Sequence, residues 1–360
     1  MTFTPEARLV IGIIRSFLRT SDGDVVPLFF RDEVDWDRLL TLLRFHRLVP
    51  VADYVLSRRK EWDFLPSSFR GELKRETRES SARALFLETH LQVLGEVFHH
   101  GKIPFIILKG AAIAHEYYDP PYLRPYGDLD ILIRYGDFPR TRDLLADRGF
   151  IPEDPDQERF TRESVKAVPF MNPLYSGLSL DLQWETVTLY WGKKPFLSSD
   201  EAWRNVHEIH HQGLSFPALD PALLVPYLCV HLMSHHHFSP LLNLVDIGLV
   251  LRDGKRPVDW EGVLKVAVEQ DIRSALYYPL QFLKNPLGVP VPESAMTVLK
   301  PGFVVRGLFP VEKLAFRSGP LPRWAERIAK FFLIDDWRDR MKALGTFYRY
   351  RIKRRPVSRG

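Results

Sequence analysis

The 360-residue chain predicts an α+β fold, with a small mixed-sheet module set between N- and C-terminal helical regions. Three observations carry this. Apolar residues recur at helical spacing before residue 100 and again after residue 200. Between 101 and 190, short apolar runs alternate with brief helical patterns. Nowhere does an apolar run approach the roughly 18 residues of a membrane span. The reading divides the chain into a helical region over 1–100, an α/β module over 101–190, a helical domain over 191–348 and a basic tail over 349–360.

In the first region Val34, Trp36, Leu39, Leu40, Leu43 and Leu48 recur near helical spacing, as do Leu85, Leu87, Leu91, Leu94 and Phe98. The segment Asp63-Phe64-Leu65-Pro66 separates the two sets. The module opens with a strand over 105–108, then a helix over 111–118, a strand over 129–133 and a helix over 138–148. Strands near 158–161, 166–171 and 178–184 complete it. From 200 to 350 the pattern returns to helix, with proline-rich connections at 286–301 and 317–322. There is no internal repeat and no low-complexity tract.

Composition narrows the function classes. Apolar residues at 45% and charged residues at 26% are those of an ordinary globular protein. Cys229 is the single cysteine, which excludes an internal disulfide and a Cys-rich zinc site. The start, MTFTPEARLVIGIIRSF, lacks a basic lead, a long apolar core and a small-residue cleavage site, so a cytoplasmic location is expected. The net charge is +5, but the tail holds six basic residues (Arg349, Arg351, Lys353, Arg354, Arg355, Arg359) and no acid. The body alone is therefore at −1. A near-neutral body argues against a large nucleic-acid footprint, and the tail reads as a solvated terminus or as a contact for RNA or an anionic membrane.

The chemistry concentrates in FIILKGAAIAHEYYDPPYLRPYGDLDILI, residues 105–133. Positions two apart in a strand share a face, so Asp128 and Asp130 present two carboxylates to one spot. Such a pair repels itself unless a divalent cation joins it. Lys109 and a helix start after Gly110 suit a polyphosphate. In Leu178-Ser179-Leu180-Asp181-Leu182-Gln183-Trp184 the alternation puts Asp181 and Gln183 on one strand face. With Asp181 the set becomes three carboxylates, enough for two ions, Mg²⁺ or Mn²⁺, in transfer of a nucleotidyl group from an NTP. In this reading Lys109 and Arg124 act on the triphosphate and Asp181 on the attacking hydroxyl.

These residues resemble the DNA polymerase β-type nucleotidyltransferase superfamily, with its glycine-containing turn, Asp-x-Asp and distant third Asp. More narrowly, Leu108-Lys109-Gly110-Ala111-Ala112 and Arg124-Pro125-Tyr126-Gly127-Asp128-Leu129-Asp130-Ile131-Leu132-Ile133 resemble the bacterial family NTP_transf_5. In that family a Lys-Gly turn replaces the Gly-Ser of other members. A strand like Asp181-Leu182-Gln183-Trp184 follows, usually with His where this chain has Gln183, and a late helix resembles His231 to Leu251 with its Asp246-Ile247 pair. The resemblance is specific over about 101–190, weaker over 220–251 and general elsewhere. It implies a tailoring role in bacterial biosynthetic pathways. The acceptor expected, a small molecule or a peptide end, follows instead from a narrow cleft walled by the flanking helices.

Each assignment has a plainer alternative. Asp128, Asp130 and Asp181 could be solvated strand-edge carboxylates, Lys109 a surface lysine, and Gly110 only a tight turn. Arg124 could pair with Asp128 or Asp130. Gln183 lines the site without ligating metal. His231 and His235 share a helical face and invite a zinc reading, but the Glu of a His-Glu-x-x-His motif is missing. The preferred reading folds the C-terminal helices over the module, so that His231 or His235 reaches the nucleotide or acceptor; Asp246 either orients such a histidine or caps and stabilises locally, and a plain packing role for the segment is the alternative. A toxin-like RNA-modifying enzyme, a γ-phosphate transfer from the same site and a silent nucleotide-binding protein stand as alternatives.

Overall fold

The computed structural model describes residues 3–19, 34–154, 167–173, 179–186, 199–211, 214–302 and 314–336, together with 338, 340 and 341. The N-terminal region forms α1 (Pro5–Phe17), α2 (Trp36–Phe45), α3 (Val49–Leu56) and α4 (Ser67–His100). Local chemistry sets where these helices begin. The Thr4 side chain accepts from the Ala7 N–H and the Asp35 side chain from the Arg38 N–H, each satisfying a donor that the first helical turn leaves open. The break around residue 63 is a 3₁₀ turn over Lys60–Phe64, and α4 starts directly after Pro66.

The module follows as β1 (Phe105–Ile107), α5 (Ala111–Tyr117), β2 (Asp128–Ile133), α6 (Phe138–Ala146), β3 (Ile151–Pro152), β4 (Ala167–Met171) and β5 (Ser179–Gln183). The expected strand near 158–161 lies outside the described residues. After α7 (Ser199–Arg204) the sheet gains two strands, β6 (Val206–His211) and β7 (Leu214–Leu219), where the sequence reads as helix. Both strands give a weak signal. In β6 only Ile209 is a buried hydrophobic, and β7 carries Pro217, which reads against a strand between two neighbours. The chain then runs through α8 (Pro221–Ser234), α9 (Leu242–Arg252), α10 (Trp260–Glu269), α11 (Arg273–Lys284), α12 (Glu293–Leu299) and α13 (Arg323–Leu333). Among the described residues no helix is long and apolar enough to cross a membrane.

The seven strands form one mixed sheet in the order β3-β4-β5-β2-β1-β7-β6. β2 pairs with β5 in parallel and with β1 antiparallel, while β1 takes β7 in parallel. Alternation then sorts side chains between two cores. Phe105, Ile107, Leu129, Ile131 and Ile133 point to a core shared with Leu87, Leu91, Leu94 and Phe98 of α4. The helix approaches this face closely, since a Cβ on Gly95 would meet the Phe216 ring at 2.8 Å. Ile106 and Leu132 point the other way, into a core built jointly from α1–α3 and α8–α13. The two helical regions therefore cover the same sheet face. Asp128 and Asp130 share the face of Leu132, so the carboxylates open toward the seam where the helical regions meet the sheet.

Candidate active site

The register of β2 against β5 builds the acidic centre. Asp130 lies directly opposite Asp181, and Asp128 opposite Ser179. One carboxylate oxygen from each of Asp128, Asp130 and Asp181 lies within 4.8 Å of the others. Asp130 is 2% exposed. Its Oδ1 accepts from Gln183 Nε2 at 3.1 Å, and its Oδ2 forms an ion pair with Lys109 Nζ at 2.9 Å. Burial raises the Asp130 pKa, opposed by Lys109 and reinforced by Asp128. The Asp181 carboxyl is pushed up to about 6 by burial, then by the charges of Asp130 and Asp128. The centre thus holds more negative charge than Lys109 and Gln183 offset.

Lys109 is set by the turn after β1. Leu108 N–H donates to Asp130 C=O at 3.1 Å, tying the turn to β2. Gly110 follows at φ 55° and ψ −99°, a backbone conformation that suits glycine and strains any residue with a Cβ. α5 begins at the next residue.

Arg124 does not pair with Asp128 or Asp130. Its Nη2 meets Asp246 Oδ2 at 2.8 Å and its Nε meets Asp246 Oδ1 at 3.3 Å. Tyr118 donates its hydroxyl to the same Oδ1 at 2.7 Å. All three side chains are buried. Asp246 therefore holds Arg124 and Tyr118, not a histidine as expected. The sequence hides this contact because 122 residues separate the partners. Arg124 keeps Nη1 toward the turn, 3.7 Å from where a Cβ on Gly110 would stand.

A cavity of about 100 Å³ faces these groups. Its lining joins Lys109, Gly110, Arg124, Tyr126, Asp128 and Asp130 of the module to Arg47 of the N-terminal region and to Leu228, His231, Leu232, His236, Asn243 and Asp246 of the C-terminal region. His231 is here as expected, but His235 is not in the lining. The sharing of a face by positions i and i+4 presumes a helix that continues, whereas α8 ends at Ser234 and the chain turns through positive φ at His237 and Phe238. That turn brings His236 parallel to His231, ring centroids 4.7 Å apart. His235 meets His231 edge-on instead. Burial, with Lys109 next in weight, lowers the pKa of His231 well below its usual value and that of His236 to about 4. Both imidazoles are neutral near pH 7, and His231 Nδ1 is buried without a hydrogen-bond partner. Arg47, His236 and Asn243 were not singled out as site residues from the sequence; nothing in local spacing marks them.

A larger cavity, about 830 Å³, lies between α1, α3, α5 and α9. It is lined by side chains such as Tyr54, Arg58, Glu116 and Arg252, and it includes none of the three clustered carboxylates. Size does not decide the question; the chemistry sits in the smaller cleft. Three hard oxygen ligands in reach of one point fit Mg²⁺ or Mn²⁺, and the centre offers no thiolate.

The chain was compared with known proteins. Individual curated proteins give no match. Over residues 32–288 it matches a family described as uncharacterised nucleotidyltransferase, a span that holds both the acidic centre and the wall opposite it. The chain therefore belongs to the nucleotidyltransferase family NTP_transf_5.

Proposed function

We propose that the protein is a metal-dependent nucleotidyltransferase that moves an NMP from an NTP to a hydroxyl, or a phosphate, of a small molecule or peptide. The observation that carries this is the in-register placement of Asp130 beside Asp181, with Asp128 on the same face. Three carboxylates from two adjacent parallel strands converge where a lysine and a buried arginine also point. Membership of a nucleotidyltransferase family supports the reading.

Asp128, Asp130 and Asp181 would hold the divalent ions. When bound, such ions stabilise charge on the phosphates and lower the pKa of the attacking hydroxyl. The chain's own residues do the rest. Lys109 rests on Asp130 at 2.9 Å, and its ammonium would be the donor to a phosphate oxygen beside the carboxylates. Arg124 is held by Asp246, itself fixed by the Tyr118 hydroxyl, so Nη1 can meet the phosphates beside Gly110 without rearrangement, which conserves the geometry needed for transfer. Gln183 steadies Asp130 by donating to Oδ1. His231, neutral and with Nδ1 unpartnered, can donate to or accept from the nucleotide or the acceptor. Asp181 is beside the other acids but not in the lining of the cleft, which suits a role toward the acceptor.

Carboxylates enclosed between the sheet and two helical regions support a small acceptor or a peptide end, because duplex nucleic acid needs a broad basic face. A cytoplasmic location and a place in a bacterial biosynthetic pathway are part of the same proposal. The test is to incubate the protein with each labelled NTP, Mg²⁺ or Mn²⁺, and separated small-molecule, peptide and RNA fractions of a lysate. Labelled product with release of pyrophosphate, lost in Asp130→Asn, is the expected result. Transfer without pyrophosphate, or full turnover by Asp130→Asn, would refute it; labelling confined to the RNA fraction would move the acceptor to RNA.

A further inference from the structure

We propose that Arg47, supplied by the N-terminal helical region, anchors the terminal phosphate of the donor, so that the cleft selects a triphosphate over shorter phosphate chains. This rests on the nucleotidyl-transfer reading above and specifies how the same site holds its donor.

Three cationic side chains with permanent or near-permanent charge line the cleft: Lys109, Arg124 and Arg47. The first two are matched by acids, Lys109 by Asp130 and Arg124 by Asp246. Arg47 is exposed and makes no ion pair among the described residues. The two histidines of the same wall are neutral, so they add hydrogen bonding but no charge. Among the described residues that line the cleft, Arg47 is thus the cation without an acid partner.

Its position is built rather than incidental. Arg47 has φ 57°, in the left-handed region, and its N–H donates to Arg44 C=O at 3.0 Å. His46, fully buried beside it, accepts the Leu241 N–H at Nδ1 (3.2 Å) and the Leu242 N–H at its carbonyl (3.3 Å). These bonds staple the corner after α2 to the start of α9, the helix that carries Asn243 and Asp246 into the same cleft. The backbone of Arg47 is therefore fixed relative to the wall it belongs to. The left-handed backbone closes α2 in the usual way, with Leu48 N–H donating to Leu43 C=O at 2.8 Å, so the point at which the Arg47 side chain leaves the corner is set.

The ligand follows from size and charge. A cavity of about 100 Å³ is well below the ~300–1,000 Å³ that encloses a whole drug-sized ligand, so only part of a nucleotide enters. The lining of acids, cations and neutral imidazoles suits the phosphates rather than the base. Lys109 lies against Asp130 and would serve the phosphate held at the carboxylates. A chain extended across the cleft brings its far end to a second cation, and a guanidinium donates to phosphate oxygens in paired fashion.

The test avoids the unknown base preference by using inorganic chains. Mn²⁺ binding to the full-length protein is first followed by electron paramagnetic resonance. Calorimetry then measures Mg²⁺-tripolyphosphate and Mg²⁺-pyrophosphate binding to the wild type, Arg47→Ala and Arg47→Lys. We expect the wild type to bind tripolyphosphate at least ~10-fold tighter than pyrophosphate, the worth of one charge-assisted contact. Arg47→Ala should abolish that preference while Mn²⁺ and pyrophosphate binding hold, and Arg47→Lys should keep part of it. A preference that survives in Arg47→Ala, or a variant that loses both chains equally, overturns the assignment. If the wild type fails to bind Mn²⁺, the nucleotidyl-transfer reading itself falls; if Mn²⁺ binds and the preference is untouched in Arg47→Ala, only the role of Arg47 falls.

Discussion

Replacing Asp246 tests the buried contact that joins the sheet module to the C-terminal helices. Asp246 is fully buried and carries two bonds from Arg124, at 2.8 and 3.3 Å, and one from the Tyr118 hydroxyl at 2.7 Å. In Asp246→Ala the guanidinium of Arg124, itself 7% exposed, stays buried without its counter-charge. Breaking a buried pair from one side costs about 3–5 kcal/mol, chiefly because the remaining charge is uncompensated. Tyr118→Phe removes one hydrogen bond to a charged group and should cost about 1.5–3 kcal/mol. The double change Arg124→Met with Asp246→Leu removes both charges and keeps volume, so it should regain most of the loss of Asp246→Ala. Urea denaturation at fixed pH gives the three values, and the recovery in the double change shows how much of the loss is the uncompensated charge. A cost below about 1 kcal/mol for Asp246→Ala would refute the buried pair, since a solvated pair is worth no more than that.

Further outcomes follow from the site and its supports. Lys109→Ala should weaken binding of a Mn²⁺-NTP, whereas Asp181→Asn should leave that binding nearly intact and remove turnover; normal turnover in Asp181→Asn would mean that the third acid is misplaced. Gly110→Ala should lose about 1–3 kcal/mol of stability, read as a lower urea midpoint, because φ 55° with ψ −99° admits no Cβ without strain. Burial holds the His46 pKa down to about 3. The unfolded chain takes up that proton near 6.5 and the folded chain only near 3, so His46 lowers stability progressively as the pH falls through that window. His46→Gln should therefore flatten the decline by about 1.4 kcal/mol per pH unit between pH 4.5 and roughly 6, measured by urea denaturation at several pH values. An unchanged slope would show that His46 is protonated, or accessible, in the folded protein.

Much of this protein is written locally. The β1 and β2 strands, the turn between them and the sharing of a face by Asp128 and Asp130 depend on residues a few positions apart, and alternation along a strand decides them. The Asp181 strand is legible for the same reason, although its partner is not. That Asp130 and Asp181 stand side by side depends on β5 pairing with β2 in parallel, across 51 positions, and no local pattern sets that register. The hairpin of β6 and β7 is hidden by a proline and by a strand with few apolar residues; its place beside β1 is fixed by the sheet it completes.

The second wall of the cleft was decided by tertiary structure alone. Helical spacing points to His235 as the companion of His231, but the helix ends one residue earlier and the turn substitutes His236. Arg124 is expected at the triphosphate and is held by Asp246, and Arg47, which no sequence pattern marks, lines the cleft. The physical reason is range. Periodicity reports which face of one element is apolar, so it finds strands, helices and the residues they display. Which displayed residues meet depends on how separate faces are buried against one another, and that is settled only when the two helical regions close over the sheet.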